Sequence, residues 1–138
     1  MSSEKTALST DDKKLFVNSF FLENCYNYER QQGLGFALAM WPAIKRFWHT
    51  KEERAAALTR HMAIFNTTPH VVGAISGVSA ALEREASENP EFDTLIINNV
   101  KVGLMGPFAG IGDSFFQGTL RIIASGIGIS LCQQGSPL

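Results

Sequence analysis

Apolar positions in this chain fall in helix-length runs separated by short polar or glycine-bearing breaks, which predicts an all-α architecture. Residues 1–10 read as a flexible polar lead-in. Ser9 or Thr10 offers an N-cap, Asp11 and Asp12 suit the first turn, and a helix is predicted over residues 11–30. Its middle, LFVNSFFLENCYNYE, is aromatic almost all round, with Phe16, Phe20, Phe21, Tyr26 and Tyr28. Such a helix is either wholly buried or lies at a membrane surface. Gly33 and Gly35 are expected to break or bend the chain before a second apolar helix over residues 34–48, kinked or restarted at Pro42. Trp41, Lys45, Arg46 and Trp48 at its end resemble the aromatic and basic belt of a membrane interface. The alternative is a soluble helix end with two buried tryptophans.

Thr50-Lys51-Glu52-Glu53 forms a capping box, and the helix it opens is predicted to reach about Phe65. Leu58, Met62 and Phe65 share one face of this amphipathic helix, while His61 reads as a surface or satisfied histidine. Asn66-Thr67-Thr68-Pro69-His70 then stops it, because a residue before proline avoids the α region. Residues 62–82 carry no formal charge apart from what His70 contributes, and Gly73 and Gly77 within them form a GxxxG pair. Residues 71–82 fall short of the roughly 20 apolar residues that a bilayer crossing needs, so a half-depth or re-entrant helix packed on others is expected. Residues 83–93, EREASENPEFD, read as a solvent-facing loop with its turn at Asn89-Pro90. Asp93 is placed to cap the next helix.

That helix runs into residues 101–123, KVGLMGPFAGIGDSFFQGTLRII, where Gly103, Gly106, Gly110, Gly112, Gly118 and Pro107 stand among bulky apolar residues. In water each interior glycine costs about 1 kcal/mol against alanine. The glycines therefore either shape a loop around a ligand or let backbones pack closely inside a membrane. A nucleotide loop fails on detail. The third glycine position after Gly110-Ile111-Gly112 is Phe115, and Asp113 stands before Ser114 where a P-loop needs lysine. No metal-ligand set appears among His49, His61 and His70, and Ser114 lacks the frame of a nucleophile elbow. Neither a catalytic residue nor a metal or cofactor is expected.

What remains is a polar cluster in apolar surroundings: Asp113, Ser114, Gln117, Thr119 and Arg121, flanked by Phe115, Phe116 and Leu120. Ionisable groups so placed usually pair or line a cavity. Asp113 and Arg121 either form a structural pair, or join the hydroxyls and rings in replacing water around a polyhydroxylated solute. Composition changes this picture little. Lys plus Arg is 12 and Asp plus Glu is 13, so no basic block points to nucleic acid. Charged residues are 18%, low against about 25% in soluble domains. Cys25 and Cys132 read as reduced thiols. The N-terminus lacks the pattern of a signal peptide. The apolar run from Ile122 stops at Gly135-Ser136-Pro137-Leu138, where a domain seldom ends, so a truncated single domain over residues 1–138 is expected.

Three blocks give the chain a specific resemblance: NYERQQGLGF at 27–36, FNTTP at 65–69, and KVGLMGPFAGIGDSFFQGTLR at 101–121. They resemble the enzyme IID component of the mannose/fructose/sorbose family of the bacterial phosphotransferase system. Thr68, His70, Gln117 and Ile122 depart from that pattern, so the resemblance does not carry a sugar preference over to this chain. The resemblance implies a membrane subunit of the bacterial inner membrane, with amphipathic N-terminal helices and interrupted or re-entrant glycine-rich helices. It implies an obligate IIC partner, phosphate relayed by IIA and IIB domains, and hexose transport with no catalysis by this chain itself. Asp113, Ser114, Thr119 and Arg121 are the expected sugar-path residues. Glu29, Arg30 and Asn66 are a second rank, structural or at a partner interface, and Gly73, Gly77, Gly103, Gly106, Gly110 and Gly112 are expected at helix contacts. The alternatives are a soluble or peripheral helical interaction domain and an inactive truncated subunit.

Overall fold

The computed structural model describes residues 10–135, so the lead-in, Thr10 apart, and the last three residues lie outside the described residues. Six α-helices follow one another: α1 Thr10–Ser19, α2 Gly33–Phe47, α3 Lys51–His61, α4 Val72–Glu88, α5 Leu95–Gly112 and α6 Arg121–Gln133. Short 3₁₀ turns at Leu22–Cys25 and Pro69–Val71 join them, and a π-helical stretch, Asp113–Leu120, makes α5 and α6 one continuous rod. No strand occurs among the described residues, only two isolated bridges.

α2 is the hub. Phe36, Met40 and Ile44 recur along one face at helical spacing and are fully buried, against Leu15 and Leu22 before α2, Ala57 on α3, Phe65 after it, and Val72 and Ile75 on α4. Pro42 sits inside α2 without ending it. Gly33 and Gly35 do not break the chain. They open α2, and both are buried. The first predicted helix, by contrast, stops at Ser19 instead of Arg30, because the backbone must turn twice to bring Gly35 against the Leu22 carbonyl. α3 carries the predicted capping box, with Glu53 N–H donating to Thr50 Oγ1 at 3.2 Å and Thr50 N–H to Glu53 Oε2 at 3.0 Å. It ends at His61, four residues before the expected Phe65, which instead pairs with the segment before α2.

The stretch expected as a solvent-facing loop at 83–93 is corrected in its first half. α4 continues to Glu88, and Val72, Ile75, Ser76, Ser79, Glu83 and Ala86 form its buried stripe. Glu83 is fully buried where the end of α2, the end of α3 and α4 meet. Its Oε1 lies 2.9 Å from His61 Nε2 and 2.9 Å from Arg60 Nε, and its Oε2 accepts from Trp48 Nε1 at 2.7 Å. The Arg60 contact is off the N–H direction, so it acts as a charge pair more than a directed hydrogen bond. Lys101 on α5 is also fully buried, donates to the Arg60 carbonyl at 3.2 Å and lies over the Phe36 ring.

Burial holds the His61 imidazole below its usual range, against the pull of Glu83. His61 Nδ1 is buried without a partner, which suits a neutral ring donating from Nε2. Burial alone would push the Glu83 carboxyl up, but the hydrogen bonds from His61 and Trp48 and the charge of Arg60 outweigh it and leave the group below its ordinary value.

α5 docks on this assembly by one stripe. Ile97, Lys101 and Gly112 are buried, and Leu104, Met105 and Phe108 pack on the core edge between them. Beyond Gly112 none of residues 113–135 is buried. The rod from Leu95 to Gln133 is 39 residues long with a mean hydropathy of 1.3 in its most apolar window, long and apolar enough to cross a membrane. Ile111, Phe115, Ile122, Ile123, Ile127 and Ile129 stand exposed along it. The interruption predicted in the glycine stretch takes the form of a π segment, not of a hairpin.

Two outcomes follow for the protein in detergent. Glu83→Ala leaves buried cationic and N–H groups unpaired and is expected to cost about 3–5 kcal/mol, read as a lower melting temperature. Both groups, lowered in the fold, favour the unfolded chain on acidification. Their contribution to stability should fall as pH drops from neutral through the ordinary histidine and then carboxylate ranges. A melting temperature that does not change between pH 7.5 and 5 would contradict this.

Candidate functional site

The three sequence blocks meet in space. In the first, Asn27 Oδ1 accepts from the Arg30 N–H at 2.8 Å, and Asn27 and Gln31 exchange backbone hydrogen bonds around a tight turn. Gln31 takes a left-handed φ of 51°, a costly conformation for a residue with a side chain. Gln32 then grips the second block from both sides. Its Oε1 accepts from the Thr67 N–H at 2.8 Å, and its Nε2 donates to the Thr67 carbonyl at 3.0 Å. The two glycines that follow are packed against backbone. A Cβ on Gly33 would lie 2.5 Å from the Ala63 carbonyl oxygen, and one on Gly35 would overlap the Leu22 carbonyl.

The second block lies on the third. Asn66 N–H reaches Met105 Sδ at 3.0 Å, and Thr67 Oγ1 lies 3.4 Å from the Met105 carbonyl. Thr68 Oγ1 has one proton, which the Asp113 carboxylate at 2.7 Å takes more strongly than the Ala109 carbonyl at 3.1 Å. Gly112 makes this approach possible, since a Cβ there would come within 2.5 Å of Thr68 Oγ1. One turn on, the His70 ring stacks on Phe116, centroids 4.1 Å apart.

The predicted residues therefore have different settings. Asp113 is solvent-exposed by area yet held at a helix contact, where it accepts a hydrogen bond from Thr68. Arg121 is exposed and reaches back to Gln117 Oε1 at 3.5 Å. Ser114 and Thr119 are exposed and line a shallow depression with Gly110, Ile111 and Phe115. The Thr119 hydroxyl donates to the Ser114 carbonyl five residues back, in π register. Glu29 and Arg30 form a loose, exposed pair at 3.9 Å on the tight turn, and Asn66 is exposed beside it. A Cβ on Gly73 would lie 3.6 Å from the Phe16 ring, whereas one on Gly77, Gly103, Gly106 or Gly110 would meet nothing within 4 Å among the described residues. Cys25 and Cys132 are free thiols, Cys25 half-buried and Cys132 exposed.

A protein-family model, the mannose/fructose/sorbose family IID component of the phosphotransferase system, matches residues 8–138. The chain belongs to this IID family. It is 41% identical over 138 residues to the mannose-specific EIID component of Escherichia coli, covering 99% of this chain and 49% of that protein. It is 46% identical over 133 residues to the sorbose-specific EIID component of Lacticaseibacillus casei, covering 96% of this chain and 47% of that one. Among solved structures, the cryo-EM structure of the mannose transporter ManYZ bound to a microcin superposes with a TM-score of 0.87 at 41% identity, over 96% of this chain and 49% of that chain. The chain thus spans about half the length of the IID relatives it matches.

Thr68 and Gln32 were not singled out from sequence as site residues, although both fall inside the family blocks. Two structural residues, Glu83 and Lys101, were also missed. Helical spacing from Val72 to Ala86 and from Ile97 to Gly112 is the signal that could have found them.

The glycines sort into two groups that a mutational series can separate. Gly35→Ala should prevent the protein from accumulating in folded form, because neither backbone partner is free to move. Gly103→Ala should leave the melting temperature within about 1 kcal/mol equivalent of the parent. The reverse order would contradict the placement of α2.

Proposed function

We propose that the chain acts as the IID-type membrane subunit of a sugar phosphotransferase permease. In this reading it sits in the bacterial inner membrane and translocates a hexose of the mannose, fructose or sorbose type. Phosphorylation is done by partner subunits: a IIC component shares the membrane, and IIA and IIB domains carry phosphate. The chain itself holds no catalytic group. The observation that carries the proposal is the rod from Leu95 to Gln133, which presents Asp113, Ser114, Thr119 and Arg121 on an apolar helix where none of residues 113–135 is buried. In hydrocarbon, such polar groups need a facing protein surface or a watered cavity.

Asp113 is the leading sugar-path residue, oriented by Thr68. Ser114 and Thr119 offer hydroxyls, and Arg121 with Gln117 offers donors and an acceptor, at spacings that suit a polyol. Glu29, Arg30 and Asn66 form a second polar patch for sugar or IIC. Gly77, Gly103, Gly106 and Gly110 leave flat helix surface for close approach of partner helices.

Asp113→Ala is expected to lower sugar uptake at least tenfold at unchanged membrane level, with copurification of IIC retained. Normal uptake at normal level would remove Asp113 from the path. A chain that stays in the supernatant after ultracentrifugation without detergent would contradict the membrane reading itself.

A further inference from the structure

Two side chains of the segment before α4 reach the rod, Thr68 to Asp113 and His70 to Phe116. Their placement follows from local chemistry. Pro69 fixes its own φ and opens the 3₁₀ turn Pro69–Val71, and the Val71 N–H donates to the Thr68 carbonyl at 3.0 Å. Thr68 and His70 are therefore held at a set separation on one short turn. On the rod, Asp113 and Phe116 stand three positions apart, which makes them neighbours on one helix face. The two contacts clasp that face side by side, so the His70 imidazole lies roughly one helical turn, about 5 Å along the rod, from the Asp113 carboxylate.

The His70 ring is oriented, but its polar edge is not satisfied. Its plane lies 12° from that of Phe116, and Phe115 meets Phe116 edge-on at 5.1 Å, so the platform under the imidazole is itself fixed. Stacking engages the face of the imidazole and leaves both nitrogens at the edge. Among the described residues neither nitrogen has a hydrogen-bond partner, and Thr68 takes Asp113 Oδ1 while Oδ2 is left without one. His70 and Asp113 are both exposed. A stack that served structure alone would be met as well by an apolar ring, at lower desolvation cost in a membrane assembly. Yet His70 is the one titratable side chain in residues 62–82. A neutral imidazole edge offers one donor and one acceptor, and Asp113 Oδ2 offers a further acceptor. Hydroxyls on successive carbons of one sugar ring, each donor and acceptor, can meet both groups across that spacing.

We infer that His70 is a substrate-binding residue of the sugar path, its imidazole nitrogens bonded to hydroxyls of the same hexose that Asp113 Oδ2 holds. Phe116 is the positioning residue that keeps the imidazole in plane. The inference rests on the transport reading proposed above and extends the sugar contacts beyond the glycine-rich stretch to the turn before α4.

The test measures initial uptake of mannose, fructose and sorbose in cells that make the parent or a variant together with IIC, IIA and IIB partners, at matched membrane level. His70→Phe keeps the stack and removes both nitrogens. It should raise the uptake KM for the sugar the parent takes up fastest about tenfold, as loss of one or two hydrogen bonds does, with Vmax within about twofold and IIC copurification unchanged. Phe116→Leu keeps an apolar contact and removes the platform, and it should raise KM less than His70→Phe does. A merely structural stack gives the opposite order, with His70→Phe at the parental KM and Phe116→Leu impaired, and that order overturns the inference. A second readout needs no variant. In the parent copurified with IIC, saturating amounts of that sugar should slow diethyl pyrocarbonate modification of His70, read by mass spectrometry, while exposed His49 reacts at an unchanged rate. Modification of His70 at the same rate with and without sugar overturns the inference. A parent that takes up none of the three sugars removes the transport reading and this contact with it. A parent that transports, with a parental KM in His70→Phe and no protection of His70, refutes this contact alone.

Discussion

The buried carboxylate of Glu83 is the constraint on which the assembly depends. It lies where the end of α2, the end of α3 and the middle of α4 converge, and it takes Trp48, Arg60 and His61 at once. Each of those groups would be costly to bury alone. Together they fix the angle at which α3 returns across α2. That angle presents the Arg60 carbonyl to Lys101, so the rod is docked by a lysine capping the last turn of α3. The same docking carries Met105, Ala109 and Gly112 under the Asn66–Thr68 segment. The settings of Thr68 and Asp113 are thus downstream of the Glu83 charge cluster.

A second constraint comes from backbone. Gly33, Gly35 and Gly112 are the positions where two main chains, or a main chain and Thr68, approach too closely for a Cβ. They explain why two of the three family blocks contain glycine. Of the rod's other glycines, a Cβ on Gly118 would meet only the Asp113 carbonyl, and one on Gly103, Gly106, Gly110, Gly126 or Gly128 would meet nothing within 4 Å among the described residues. Their absence of side chain shapes a surface, which is the reason the proposal looks outward from α5 and α6 for partner helices.

Much of this was legible from residue order. The capping box at Thr50 and Glu53, the break at Pro69, the helical runs and the uncharged glycine segment all follow from local chemistry that tertiary contacts leave unchanged. Three features were not legible. Helix α1 stops at Ser19 because Gly35 needs the Leu22 backbone beside it, a contact between positions thirteen residues apart. Glu83 reads as part of a solvent-facing loop and Lys101 receives no role from the sequence, because single-residue polarity does not reveal partners supplied by other helices. The Thr68–Asp113 bond spans 45 positions, and no spacing rule reaches that far. Local sequence signals therefore recovered the elements, while the polar contacts joining them required the fold.

We propose that the rod is held by the helical head along one stripe, from Ile97 through Lys101, Leu104, Met105, Phe108 and Gly112 to Asp113 and Phe116, and that beyond Phe116 it lies in the membrane. Single cysteines placed in turn from 97 to 131, in a Cys25→Ser, Cys132→Ser background within membranes, test it with a water-soluble maleimide. The account predicts protection of Ile97, Leu104 and Phe108 by the head and continuous protection of Ile122, Ile123, Ile127 and Ile129 by lipid or partner helices. Rapid labelling of those four isoleucine positions in intact membranes would contradict it.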